Sequence, residues 1–131
     1  MEPQVIAFAG AIASGKTTLA HAVSSALGCQ RVSFGAFVRE EAIYRGLDAG
    51  SRDVLQAVGE ELIAQGWEPF CRAVLAQVDW SPSQTLVIDG IRHTAALATI
   101  RRLVWPLRTV LIFVELESRQ VCKLVRGSPS S

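Results

Sequence analysis

The chain has 131 residues, half of them hydrophobic and 19% charged, with a formal net charge of +1. This supports one folded domain with a real core and excludes general disorder. With no long basic run, and no apolar stretch near the ~20 residues of a membrane span, neither nucleic acid nor a bilayer is the expected main partner.

Residues 5–10 form a short apolar run ending in glycine, as expected of a strand buried on both faces. Glu2 and Pro3 precede it, unlike the basic, longer apolar pattern of a secretory leader, so the expected location is cytoplasmic. From Lys16, apolar residues recur at Leu19, Val23, Ala26 and Leu27, which predicts a helix stopped by Gly28. Residues 30–34 read as a second strand and residues 36–45 as a helix ended by Gly46. Ser51 is placed to cap a third helix with Leu55, Val58, Leu62 and Ile63 on one face. Pro69 can open a short helix reaching Val78. TLVID, residues 85–89, is a third strand, and Thr94 can cap a helix that runs to about Leu103 before Pro106 breaks it. TVLIFVEL, residues 109–116, is the most apolar strand of all. Residues 118–126 read as a final helix, and residues 127–131 as a disordered polar tail.

Continuous apolar strands alternating with helices predict an α/β fold with a mostly parallel sheet of about four strands, covered by helices. The block from 36 to 78 is too long for one crossover and is expected to be a helical insertion. Cys29, Cys71 and Cys122 are odd in number and far apart. They fit neither a disulfide framework nor paired zinc ligands, so free thiols are expected.

Residues 10–17, GAIASGKT, match G-x-x-x-x-G-K-[ST], the P-loop of P-loop NTPases. Gly10 lets the chain leave the strand in a geometry closed to other residues, and Gly15 lets the backbone approach a phosphate. Amides from Ala13, Ser14, Gly15, Lys16 and Thr17 can then point into one concavity, reinforced by the positive end of the following helix. Lys16 is expected to bridge the terminal phosphates, the Thr17 hydroxyl to ligate Mg²⁺, and Thr18 to reach the α-phosphate. The implied ligand is ATP with Mg²⁺. A second Mg²⁺ group is needed on a neighbouring strand, and Asp89 at the end of LVID is the candidate, against the plainer reading of a turn-forming Asp-Gly.

With DGIR (residues 89–92) joined to the P-loop, the chain resembles the nucleoside monophosphate kinases. Adenylate kinases carry D-G-F-P-R here; this chain lacks the proline and has the arginine one place closer. SFGAFVRE, residues 33–40, resembles their S-T-G-D-M-L-R stretch, with Arg39 on the arginine. The resemblance implies that Arg39 and Arg92 hold the acceptor's phosphate. LQAVGEEL, residues 55–62, is similar to the L-Q-x-x-G run of phage-type deoxynucleoside monophosphate kinases and implies an acceptor contact for Gln56. Lys123 and Arg126 resemble basic residues that open the kinase lid, which implies a catalytic role for Arg126. Arginine forks suit phosphate oxygens independently of the family, and ligands of open α/β sheets gather at the carboxyl ends of strands. His93 reads more simply as a helix-start residue than as a catalyst, and Trp67 and Phe70 more simply as packing than as an acceptor pocket.

The expected activity is transfer of the γ-phosphate of Mg·ATP to a small phosphorylated acceptor, a nucleoside monophosphate. The alternatives are a hydroxyl-directed kinase resembling dephospho-coenzyme A kinases, a simple ATPase, and a nucleotide-binding module without turnover. Relatives place an aspartate after the second strand to activate a hydroxyl; here no carboxylate occurs before Glu40. Nothing after Leu116 reads as a strand, whereas such kinases continue with a fifth parallel strand. By the family's strand order, 2-3-1-4-5, residues 109–116 would then be an open edge; the expectation is that another chain covers it, a homo-oligomer being one form, or that the monomer is poorly soluble.

Overall fold

The computed structural model describes residues 2–10, 16–115 and 121–125. Five strands form one sheet in the order β2-β3-β1-β4-β5. They are β1 (Gln4–Gly10), β2 (Gln30–Ser33), β3 (Leu86–Ile91), β4 (Arg108–Glu115) and β5 (Val121–Val125). The first four run parallel, with β1 between β3 and β4, while β5 is antiparallel to β4. The helices are α1 (Lys16–Leu27), α2 (Phe34–Tyr44), α3 (Arg52–Ala64), α4 (Trp67–Leu75) and α5 (Thr94–Val104). This is the α/β architecture of a P-loop NTPase, with α2, α3 and α4 filling the expected helical insertion.

The sequence explains most of these boundaries. α1 ends where Gly28 turns to φ 64, and the Cys29 amide donates back to the Ser24 carbonyl at 3.0 Å, closing the last turn. Ser33 caps α2 by accepting from the Ala36 amide at 3.1 Å, and Ser51 caps α3 by accepting from Val54 at 3.3 Å. Three helix starts differ from expectation. α2 begins at Phe34 rather than residue 36, because Ser33 caps it, so Phe34 belongs to the helix and not to β2. α4 begins at Trp67 rather than Pro69, which takes the third helical position, where its missing N–H still costs no helical bond. The cap of α5 is His93, not Thr94, and the His93 side chain makes no capping hydrogen bond.

The final element corrects the expectation more deeply. Residues 121–125 are a strand, not part of a helix, and they pair along β4 from Leu111↔Val125 to Glu115↔Val121. β4 is therefore not an open edge, and the stated reason for an oligomer through residues 109–116 is removed. Five residues separate β4 from β5, enough for a hairpin but too few for a parallel crossover. VCKLV is rich in β-branched and apolar residues, and pairing gives the backbone groups of β4 partners.

The sheet divides the core. On one face, Val5, Ala7, Val32, Leu86 and Ile88 meet Phe34, Leu62, Phe70, Val74 and Ile100 from α2 to α5. On the other, Ile6, Phe8 and Val87 meet Ala20, with Leu19 and Val23, from α1. Alternate strand residues serve opposite faces, so strands buried on both sides need the unbroken apolar runs seen in the sequence.

Candidate active site

The carboxyl ends of the parallel strands form one rim. Gly10 pairs with Val114 across β1 and β4, while Ser33 and Phe8 both pair with Asp89 across the β2–β3 and β1–β3 ladders. β1, the central parallel strand, ends at Gly10, and α1 opens at Lys16. The P-loop residues thus span a strand-to-helix connection at the rim, with Lys16 and Thr17 as the first two positions of α1. Ala13, Ser14 and Gly15 lie outside the described residues, as do the side chains of Lys16 and Thr17. Thr18 is exposed. α1 has no acidic residue in its first turn, so no side chain there opposes the attraction of its N-terminus for an anion.

Asp89 is 3% exposed. Its register partner Phe8 belongs to the α1-side core, so Asp89 lies on the α1 face of the sheet, at the end where α1 begins. Beyond Asp89 the strand changes register. The β1–β3 register slips between Phe8↔Asp89 and Ala9↔Ile91, leaving Gly90 as an extra residue at φ 94. Alternation from Val87 already puts Asp89 on the α1 face; the bulge instead lets Ile91, two residues on, join the opposite core. A Cβ at Gly90 would lie 3.6 Å from the Gly35 amide nitrogen and 3.6 Å from the Phe34 Cβ. The backbone conformation therefore asks for glycine, while the space beside it, at the first turn of α2, would give a Cβ ordinary van der Waals contact.

That approach places both candidate arginines. Arg39 lies one helical turn beyond Gly35, on the same side of α2. Arg92 follows β3 directly, two residues after Gly90. Both are exposed, and neither makes an ion pair or hydrogen bond with another described residue. Gln56 is an exposed residue of α3 whose amide donates to Glu60 at 3.3 Å, a pairing within its own helix. Lys123 lies on β5 opposite Phe113 rather than on a helix, and Arg119 and Arg126 fall outside the described residues. No carboxylate occupies the first turn of α2. Glu41, further along, holds Arg45 at 2.9 Å, and Arg45 also binds Glu61 at 2.6 Å. These two carboxylates raise the pKa of the Arg45 guanidinium.

Sequence reasoning missed how the aromatic residues connect. The Phe70 ring stands edge-on to Phe34 at 5.3 Å and stacks with Trp67 at 5.9 Å and 11°. Trp67 in turn meets the His93 imidazole at 5.1 Å. α4, which carries Trp67, is tied to α5, which His93 precedes: Arg102 donates to Glu68 Oε1 at 3.0 Å and Arg72 donates to Glu68 Oε2 at 3.0 Å. These bonds, that of Arg102 first, lower the Glu68 pKa. Cys71 lies beneath, fully buried, and burial pushes its thiol up to about 11, so it is neutral and inert near pH 7. Trp67 and His93 are 26 positions apart, and no local sequence signal joins them.

Two cavities are evident. One of about 270 Å³, lined by Pro3, Gln30 and Thr85, opens at the amino ends of the strands, away from the rim. The other, about 230 Å³, lies between α2, α3 and α4 behind Phe37 and Phe70. Neither is lined by Asp89, Arg39 or Arg92, so the rim itself remains the candidate site.

No protein-family model matches the chain. It is similar to a UPF0200 protein of Methanosarcina barkeri, 26% identical over 99 residues, covering 76% of this chain and 53% of that protein. It also resembles a UPF0200/UPF0201 protein of Archaeoglobus fulgidus, 34% identical over 109 residues, covering 78% of this chain and 32% of that protein. The chain spans about half the length of the first of these and a third of the second. A solved structure of a proposed kinase from Chloroflexus aurantiacus shares the fold, with a TM-score of 0.59 and 22% identity over 86% of this chain and 60% of that one.

Proposed function

We propose that the chain is a phosphotransferase that moves the γ-phosphate of Mg·ATP to a small phosphorylated acceptor, a nucleoside monophosphate. One observation carries the reading: Asp89 is buried on the strand beside β1, on the α1 face, at the rim where β1 gives way to the P-loop residues and α1. A hydroxyl from Thr17 and a carboxylate from Asp89 are hard oxygen donors. They fit Mg²⁺, which completes its shell with water and substrate phosphates rather than with a cage of side chains. When bound, the ion neutralises charge between the β- and γ-phosphates.

The chain's own groups do the rest. Backbone amides of residues 13–17 and the Lys16 ammonium hold the triphosphate. Arg39 and Arg92 hold the acceptor's phosphate across the Gly35–Gly90 approach. Catalysis then rests on alignment and charge neutralisation. A phosphate acceptor is already anionic near neutral pH and needs no base, in keeping with an α2 first turn that has no carboxylate. A hydroxyl acceptor would need one, and Glu41 is engaged by Arg45.

The test is incubation with Mg·ATP and a panel of nucleoside monophosphates and dephospho-coenzyme A. ADP release that depends on a monophosphate supports the reading. ADP at the same rate without acceptor identifies an ATPase, and binding without ADP identifies a module that does not turn over.

A further inference from the structure

The aromatic column has an open end at the rim. Phe34 and Phe70 are buried, Trp67 is partly buried, and His93 is exposed. Packing alone accounts for the inner rings. It does not account for His93, which stands where a helix cap usually places Ser, Thr, Asn or Asp. Its side chain makes no cap bond, and no hydrogen bond or ion pair with another described residue. Instead the imidazole leans on Trp67 at 5.1 Å, with the indole's ring stack behind it. It also follows Arg92 directly, with Cα atoms ~3.8 Å apart by covalent geometry. A phosphate-binding guanidinium and a backed aromatic face are thus adjacent on one short segment.

We infer that His93, supported by Trp67, is the surface on which the acceptor's planar ring stacks while its phosphate is held by Arg92. The inference rests on the acceptor-phosphate reading above and adds the residues that select the acceptor. The ligand class is a phosphate monoester carrying a heteroaromatic ring. Stacking recognises the π-face that every base has, so it favours nucleotides over sugar phosphates while discriminating little among bases.

Titration calorimetry tests this, with the nucleotide site filled by a non-hydrolysable Mg·ATP analogue. The probes are adenosine monophosphate, uridine monophosphate and ribose 5-phosphate. The wild type is expected to bind both nucleotides about tenfold or more tightly than ribose 5-phosphate. His93→Ala should reduce that preference to within about threefold, leaving ribose 5-phosphate affinity unchanged, and His93→Phe should restore it. Arg92→Ala should weaken all three probes together. Equal affinity of the wild type for ringed and ringless probes overturns the stacking surface but leaves the phosphate site standing. A preference that survives His93→Ala also overturns it. Failure of the wild type to bind any probe removes both.

Discussion

The two faces of the sheet are built differently. Among the described residues, the face under α2 to α5 buries seventeen core residues, while the α1 face buries five. The thick face fixes where the proposed acceptor groups stand, through Phe34, Phe70 and the Gly35–Gly90 approach. The thin face carries Asp89 and the start of α1, where backbone geometry rather than bulk does the positioning. The contrast teaches that the two halves of a two-substrate site can be supported separately, and that mutations should separate them.

The largest expected effect is on the thin face. Lys16→Ala should cost about a hundredfold or more in ADP release, as loss of one charge-stabilising donor does elsewhere, without lowering the melting temperature. Equal loss of stability would mean that Lys16 is structural. On the thick face, Ile88→Ala should destabilise by about 2–5 kcal/mol in urea titration, because the side chain is fully buried between strands and helices. A loss under ~1 kcal/mol would show that this core relaxes more than its burial implies.

Gly90→Ala sharpens the comparison, since Gly90 belongs to both halves. Its φ of 94 should make the substitution cost about 1–2 kcal/mol, with acceptor affinity falling more than ATP affinity. The smallest effect is on pH dependence. Cys71 has a folded pKa raised by burial to about 11 from an unfolded value of 9.0. Its contribution is complete below pH 9 and is lost as pH rises to about 11. Replacing Cys71 with Ala should flatten that alkaline slope in melting experiments, whatever it does to stability at pH 7.

Much of this was legible in the sequence because glycines and caps mark it. β1, the P-loop spacing, the start of α1, the Ser51 cap and β3 are all punctuated locally. β5 was not, because Arg119, Lys123 and Arg126 fall at helical spacing while VCKLV is too short to settle its own period. Pairing with β4, a tertiary effect, decided it. The Asp-Gly pair suggests a turn or a metal position in the sequence, and the structure adds a bulge inside a strand, which needs the β1 register to be seen. The Trp67–His93 contact needed the packing of α4 on α5.

The most direct test follows the phosphoryl group itself. With γ-labelled ATP, Mg²⁺ and a nucleoside monophosphate, the label should appear on the acceptor, and Arg92→Ala should lower that transfer by about tenfold or more while sparing ATP binding. Label found only in inorganic phosphate, at a rate indifferent to the acceptor, would contradict the account.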